Sequence, residues 1–189
     1  MSIKYFETIK CEDFEIFNLE YHERRIAKTI GLNLNLQEYI YPPNSELLRC
    51  KLIYDESGIL SVDFYPYKKR VIETFKILYD DCIDYSSKYL NRTCLDELFE
   101  LKEDCDEIII VKNGVVTDTS IANIAVYYEN QWYISKESLL EGTTKSRLIK
   151  EKNLIEKNIT VEMLKKSEKI ALLNAMIDFD VIENYSLRT

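Results

Sequence analysis

The sequence predicts an α+β protein built as two small domains. Three observations carry that expectation. Strand-like runs fill both halves of the chain, and helical runs stand between them. The 189 residues suffice for one large domain or two small ones, and 46% of them are apolar, enough for a proper core. The stretch 79–87 carries three aspartates, a cysteine and two serines. It reads as a hinge, giving a small N-terminal α+β domain over 1–80 and a larger domain over 81–189.

The elements follow from periodicity and punctuation. Residues 3–10 and 13–17 read as short strands around Cys11-Glu12-Asp13. The run LEYHERRIAKTI, 19–30, places Leu19, Ile26 and Ile30 on one helical stripe and closes at Gly31. A second helix is expected over 36–41, ahead of Pro42-Pro43. Strands follow over 47–54, 59–65 and 71–78, the first two turning at Glu56-Ser57-Gly58. In the second half a helix is expected over 91–101 and a strand over 107–112. Asn113-Gly114 makes a hairpin turn, since both residue types accept positive φ. Further strands are expected over 121–128 and 131–134, a helix over 144–157 capped by Thr143 or Thr144, and strands over 168–174 and 177–183.

Composition removes several function classes. The net charge of −8 is spread along the chain, whereas nucleic acid calls for a basic face. No apolar run approaches the length of a membrane span, and MSIKYFETIK lacks the apolar core of a signal peptide. The five cysteines form no C-x-x-C pair, which argues against disulfides and zinc and for a reducing cytoplasm. With His22 as the single histidine, neither a histidine metal site nor a Ser/His/Asp triad is expected.

One constellation remains. A phosphate-bearing cofactor asks for N–H groups at a helix N-terminus, hydroxyl donors and an arginine. The segment GTTKSR, 142–147, offers the first two through Thr143 and Thr144, and Arg25 offers the third. Capping alone would also explain a threonine there. Pyridoxal phosphate would further need a Schiff-base lysine and a carboxylate facing its ring nitrogen. Lys88 and Asp118 are the candidates, although singly they read as a solvated lysine and a turn aspartate.

Order and spacing distinguish these residues. FETIK (6–10), HERR (22–25), KYLNR (88–92), TDTSIANI (117–124) and GTT (142–144) occur in one sequence in that order, followed by LLNAM (172–176). Together they resemble the class IV aminotransferases, the fold-type-IV pyridoxal-phosphate enzymes, and most of all their aminodeoxychorismate lyase branch. KYLNR is similar to the lyase form K-x-L-N-R, where branched-chain aminotransferases show K-x-x-x-N-Y. The resemblance implies a two-domain D-amino-acid-aminotransferase-like fold, shortened at its N-terminus. About twenty residues of the family's usual opening strand and D-R-G…G-D-G segment have no counterpart.

By the same resemblance, Lys88 is the catalytic Schiff-base lysine, Arg25, Thr143, Thr144 and Asn174 meet the cofactor phosphate, and Asp118 stands where the family has glutamate. A small-molecule substrate, a homodimer and a folate-pathway lyase reaction releasing 4-aminobenzoate and pyruvate are implied. The alternatives are a branched-chain or D-amino-acid aminotransferase of the same fold, or a non-catalytic homologue. Arg92 could neutralise a carboxylate or lie on a helix surface. Arg49 could grip substrate or face solvent. Glu7 could be buried facing the cofactor cleft, but reads first as an edge-strand glutamate. His22 reads as a helix residue near the cleft and not a catalytic base, and Lys145 and Arg147 as helix surface, where one of them could meet a substrate carboxylate.

Overall fold

The structure, a computed structural model, describes residues 2–151 and 153–189. Its contacts divide the chain into two units: residues up to Lys69 together with Ser87–Asn91, and Arg70–Ser86 together with Arg92–Thr189.

The first unit is an antiparallel sheet with one helix. Its strands are β1 (Tyr5–Glu12), β2 (Glu15–Ile16), β3 (Leu48–Asp55) and β4 (Gly58–Pro66), in the order β2-β1-β3-β4. Alternate residues of β1 and β3, including Ile9, Cys11, Cys50 and Leu52, face one side and pack with Ile26 of helix α1 (Leu19–Ile30) and with Leu36. Each fully buried aliphatic side chain of this cluster contributes roughly 1.5–3 kcal/mol. Helix α1 ends at Gly31, whose φ of 74° places it in the left-handed region and whose N–H caps the Ala27 carbonyl. The helix expected over 36–41 is a single 3₁₀ turn, Leu36–Glu38. Pro42 disfavours the helical conformation at Tyr41 and stops the helix early.

Segment 88–90 completes this unit. Phe6 N–H donates to the Lys88 carbonyl at 3.0 Å, Leu90 N–H donates to the Lys4 carbonyl at 2.8 Å, and Tyr89 bridges to Tyr5. The division therefore falls at Lys69/Arg70 rather than at 80/81, and Lys88 belongs with the first unit although it follows the polar stretch 79–87.

The second unit is built on a large mixed sheet. Strands β5 (Thr74–Tyr79) and β6 (Glu107–Lys112) are parallel, and such a pair needs a crossover, here containing helix α2 (Thr93–Glu100). Next come β7 (Val115–Thr119), β8 (Asn123–Tyr128), β9 (Gln131–Ser135), α3 (Thr143–Lys150), β10 (Ile155–Lys157), β11 (Ile159–Thr160) and α4 (Val161–Lys166). The chain closes with β12 (Lys169–Asn174), β13 (Asp178–Ile182) and β14 (Ser186–Arg188). The sheet runs β10-β9-β8-β7-β6-β5-β14, with β11 on β7 and β12 joining β13 to β8. β6 is a continuous apolar run because both of its faces are buried. Phe75, Ile109, Val126 and Leu172 anchor one core cluster, and Ala125, Ile134, Leu148 and Leu173 another. β7 and β8 pair through a single couple, Asp118 with Asn123.

The expected helix over 144–157 ends at Lys150; within that range Lys152 lies outside the described residues. Asn153 N–H turns back to the Leu148 carbonyl, and Ile155–Lys157 pairs in parallel with Tyr133–Ser135, so β9 supplies the backbone partners that a longer helix would have forgone. The cap of α3 is Gly142, so Thr143 and Thr144 occupy its first turn. Among the described residues no helix is long and apolar enough to cross a membrane.

The β6–β7 turn has Asn113 at φ 51° and Gly114 at φ 76°. A Cβ at Gly114 would meet open space, so the backbone alone resists substitution. Gly114→Ala should destabilise the protein by about 1–2 kcal/mol in urea unfolding.

Candidate active site

In the first unit, β1 and α1 bring three ionisable side chains together in the interior. Glu7 and His22 are fully buried. Arg25 Nε donates to Glu7 Oε1 at 2.8 Å, and its Nη2 donates to Oε2 of the same carboxylate. His22 Nδ1 lies 2.6 Å from Glu7 Oε2. Burial pushes the Glu7 carboxyl up, but the Arg25 guanidinium and the His22 hydrogen bond outweigh it and bring the pKa down to about 2. Burial lowers the His22 pKa and the Glu7 hydrogen bond only partly opposes it. His22 is therefore neutral at pH 7 and donates its Nδ1 proton to Glu7, while its buried Nε2 has no partner. His22 lies in helix α1, as expected, whereas the expectation of an edge-strand Glu7 is corrected. Glu7 is not an exposed edge residue, because segment 88–90 covers the edge of β1 and α1 meets its side chain.

Lys88 lies beside this cluster in the same unit. Its backbone is fastened to β1, and its Nζ stands 4.6 Å from the centre of the Phe6 ring, within cation–π range. Its charge contributes to the depression of the His22 pKa. Arg49 is exposed and lies over the Tyr65 ring at 5.1 Å.

In the second unit, Asp118 and Asn123 are buried side by side where β7 meets β8. Asn123 Nδ2 donates to Asp118 Oδ1 at 2.6 Å and to the Leu140 carbonyl at 2.9 Å. Leu140 N–H donates to Asp118 Oδ2 at 2.9 Å. Burial raises the Asp118 pKa to about 6, against the opposing pull of the Leu140 N–H, the Asn123 amide and the Lys145 charge. Thr143 and Thr144 are buried in the first turn of α3, which has no side-chain cap. Asn174 ends β12: its Nδ2 donates to the Ile121 carbonyl at 3.3 Å, and its Oδ1 accepts from Met176 and Ile177 N–H.

Lys145, expected on a helix surface, is buried. Its Nζ donates to the Ser135 carbonyl at 2.6 Å and to Ser138 Oγ at 2.7 Å, anchoring the connection before α3. Arg147 is largely buried too and pairs with Glu151 and Asp178. Arg92 Nη2 donates to the Ser120 carbonyl at 2.9 Å, within the β7–β8 turn. Of the sequence-predicted residues, Arg25 and Lys88 thus gather in the first unit, and Asp118, Thr143, Thr144 and Asn174 in the second. Sequence reasoning passed over Asn123 and the pairing of Glu7 with Arg25. The asparagine of TDTSIANI and the glutamate of FETIK were visible, but nothing local marks either as a hydrogen-bond partner.

Glu7 and Asp118 predict opposite pH dependences. Asp118 keeps its proton up to about pH 6 in the folded chain but only to 3.8 when unfolded, so its contribution is greatest below 3.8 and is lost as pH rises through 6. The stability of the protein relative to Asp118→Asn should therefore grow as pH falls through that window. Glu7 does the reverse: its contribution is present above 4.5 and is lost as pH falls towards 2. Near neutral pH, Glu7→Ala should cost about 3–5 kcal/mol in urea unfolding, because it removes the carboxylate from a buried ion pair.

Comparison with known proteins follows the same lines. The family model for amino-transferase class IV matches residues 88–181. An uncharacterised protein of Haemophilus influenzae is 31% identical over 182 residues, 90% of this chain and 96% of its own length. The crystal structure of a provisionally named 4-amino-4-deoxychorismate lyase from Haemophilus somnus 129pt matches with a TM-score of 0.80 at 34% identity, over 93% of this chain and 97% of that one. A hypothetical aminotransferase from Mycobacterium tuberculosis in its PLP-bound form shares the fold, with a TM-score of 0.74 at 16% identity over 99% of this chain and 84% of that one. In motif order, sheet architecture and kinship alike, the chain belongs to the class IV aminotransferase family and has its fold type IV.

Proposed function

We propose that this chain is a pyridoxal-phosphate-dependent lyase that converts 4-amino-4-deoxychorismate to 4-aminobenzoate and pyruvate. The observation that carries the reading is the lyase-type KYLNR segment, with the Lys88 amine beside the Glu7–His22–Arg25 cluster. The 34% identity to the Haemophilus somnus protein over nearly the whole of both chains supports it. An aminotransferase of the same fold is the reading that the assay below would put in its place.

The residues present fit the cofactor. Helix α3 starts without a side-chain cap, so its first-turn N–H groups have no acceptor within the helix and suit a phosphate. Thr143 and Thr144 add hydroxyl donors there. Within the first unit Arg25 is a guanidinium oriented by Glu7, and its assignment to the phosphate rests on the family resemblance. Asp118 is the carboxylate proposed to face the ring nitrogen. With a pKa of about 6 it is mostly ionised at pH 7. Asn174 is the remaining candidate for phosphate contact.

When bound, pyridoxal phosphate supplies an electron sink for the carbon that bears the substrate's amino group. Lys88 Nζ would hold the cofactor, and as a free amine it would take the proton from that carbon. The neighbouring C–O bond breaks, the six-membered ring becomes aromatic, and the enolpyruvyl group gains a proton at its methylene carbon and leaves as pyruvate. The two products account for every atom of the substrate, so no water, oxidant or reductant is consumed. A homodimer and a cytoplasmic location complete the proposal and rest on the family resemblance.

Purified protein supplied with 4-amino-4-deoxychorismate should release 4-aminobenzoate and pyruvate in equal amounts. Lys88→Ala should abolish both this release and borohydride-trappable cofactor. Transfer of the amino group to a keto acid without 4-aminobenzoate would replace the lyase reading. A trapped peptide containing Lys76 or Lys145 would overturn the assignment of Lys88.

A further inference from the structure

The candidate phosphate turn does not stand on its own backbone alone. Leu140 precedes Gly142 by two residues, and both of its main-chain polar groups are taken by buried side chains. Its N–H goes to Asp118 Oδ2 at 2.9 Å, and its carbonyl accepts from Asn123 Nδ2 at 2.9 Å. Asn123 Nδ2 also donates to Asp118 Oδ1 at 2.6 Å, so the two side chains form one hydrogen-bonded unit around Leu140. Gly142 approaches the same unit closely. A Cβ built there would lie 1.9 Å from Asn123 Oδ1 and 3.1 Å from Asn123 Cγ. The φ of Gly142 is −69°, so the glycine is required by this approach and not by backbone conformation.

We infer that Asp118 and Asn123 act as a lock that positions the phosphate-binding turn at the start of α3. The same carboxylate would then serve both ends of the cofactor: its ring nitrogen, and through Leu140 the turn that takes its phosphate. The inference rests on the reading that the α3 N-terminus receives that phosphate. Leu140 is only partly buried, so water could satisfy its backbone, whereas Asp118 and Asn123 have given up water to do so. A buried polar pair used for stability alone could be replaced by apolar side chains with little loss. What this pair supplies is a fixed backbone position just before the helix. Lys145 ties the same connection at Ser138, and β7 and β8 pair only at Asp118–Asn123, so the turn is referenced to the sheet junction. Asn123 and Gly142 are thus positioning residues for the cofactor phosphate.

The test uses the full chain freed of cofactor and three probes: inorganic phosphate, pyridoxal and pyridoxal phosphate. Loss of the bonds made by Asn123 in Asn123→Ala should weaken inorganic phosphate and pyridoxal phosphate about tenfold, with pyridoxal changed less than about twofold. Exchange of the Leu140 amide should quicken in the same variant. Gly142→Ala should show the same split, and it reads the lock from the other side if Asn123→Ala does not fold. Equal losses for pyridoxal and phosphate, or unchanged phosphate affinity, would overturn the lock. Failure of the parent protein to bind inorganic phosphate, with Thr143→Ala and Thr144→Ala without effect, would instead remove the phosphate reading and the lock with it.

Discussion

A carboxylate withdrawn from water must be met by donors, and each unit of this protein is arranged around one that is. In the first unit the constraint falls on Glu7. Arg25 and His22 stand three residues apart on α1, where the helical repeat puts both on the face that meets β1. In the second unit it falls on Asp118, whose donors come from the next strand and from the connection that leads into α3. The two sites differ in charge balance. Glu7 has a full guanidinium against it and stays ionised far into acid. Asp118 is served by neutral amides with Lys145 further off, and burial raises its pKa.

That difference suits two different tasks. A carboxylate clamped by an arginine is a fixed support, and its value lies in the direction it gives the guanidinium. A carboxylate held by amides keeps lone-pair capacity and a pKa close to neutrality, so it can answer a change of charge beside it. The support sits in the unit that carries Lys88, and the responsive group sits in the unit that carries Thr143 and Thr144.

Much of this was legible in the sequence because it is local. The EIIIVK strand, the Asn-Gly turn and the helix that closes at Gly31 each follow from a few adjacent residues, and the structure has them where periodicity and turn chemistry put them. Motif order pointed to Lys88, Arg25, Asp118 and the GTT turn without any three-dimensional information. What stayed hidden depends on partners distant in sequence. Glu7 looks like an edge residue until segment 88–90 covers β1, and Lys145 looks like a surface lysine until Ser135 and Ser138 are seen around its amine. Helix α4 and strands β11 and β14 escaped for a different reason: at two to six residues they are too short to show a repeat, while β10 fell inside the helix expected over 144–157.

The return of Ser87–Asn91 to the first unit makes that unit discontinuous in the chain. It cannot be excised by a single cut. A fragment ending at Lys69 would lack the backbone that shields β1 and would present a bare strand edge, the kind of surface on which chains aggregate. During synthesis the same edge emerges well before its cover, so Lys88 and its neighbours are among the last pieces needed to close the first unit.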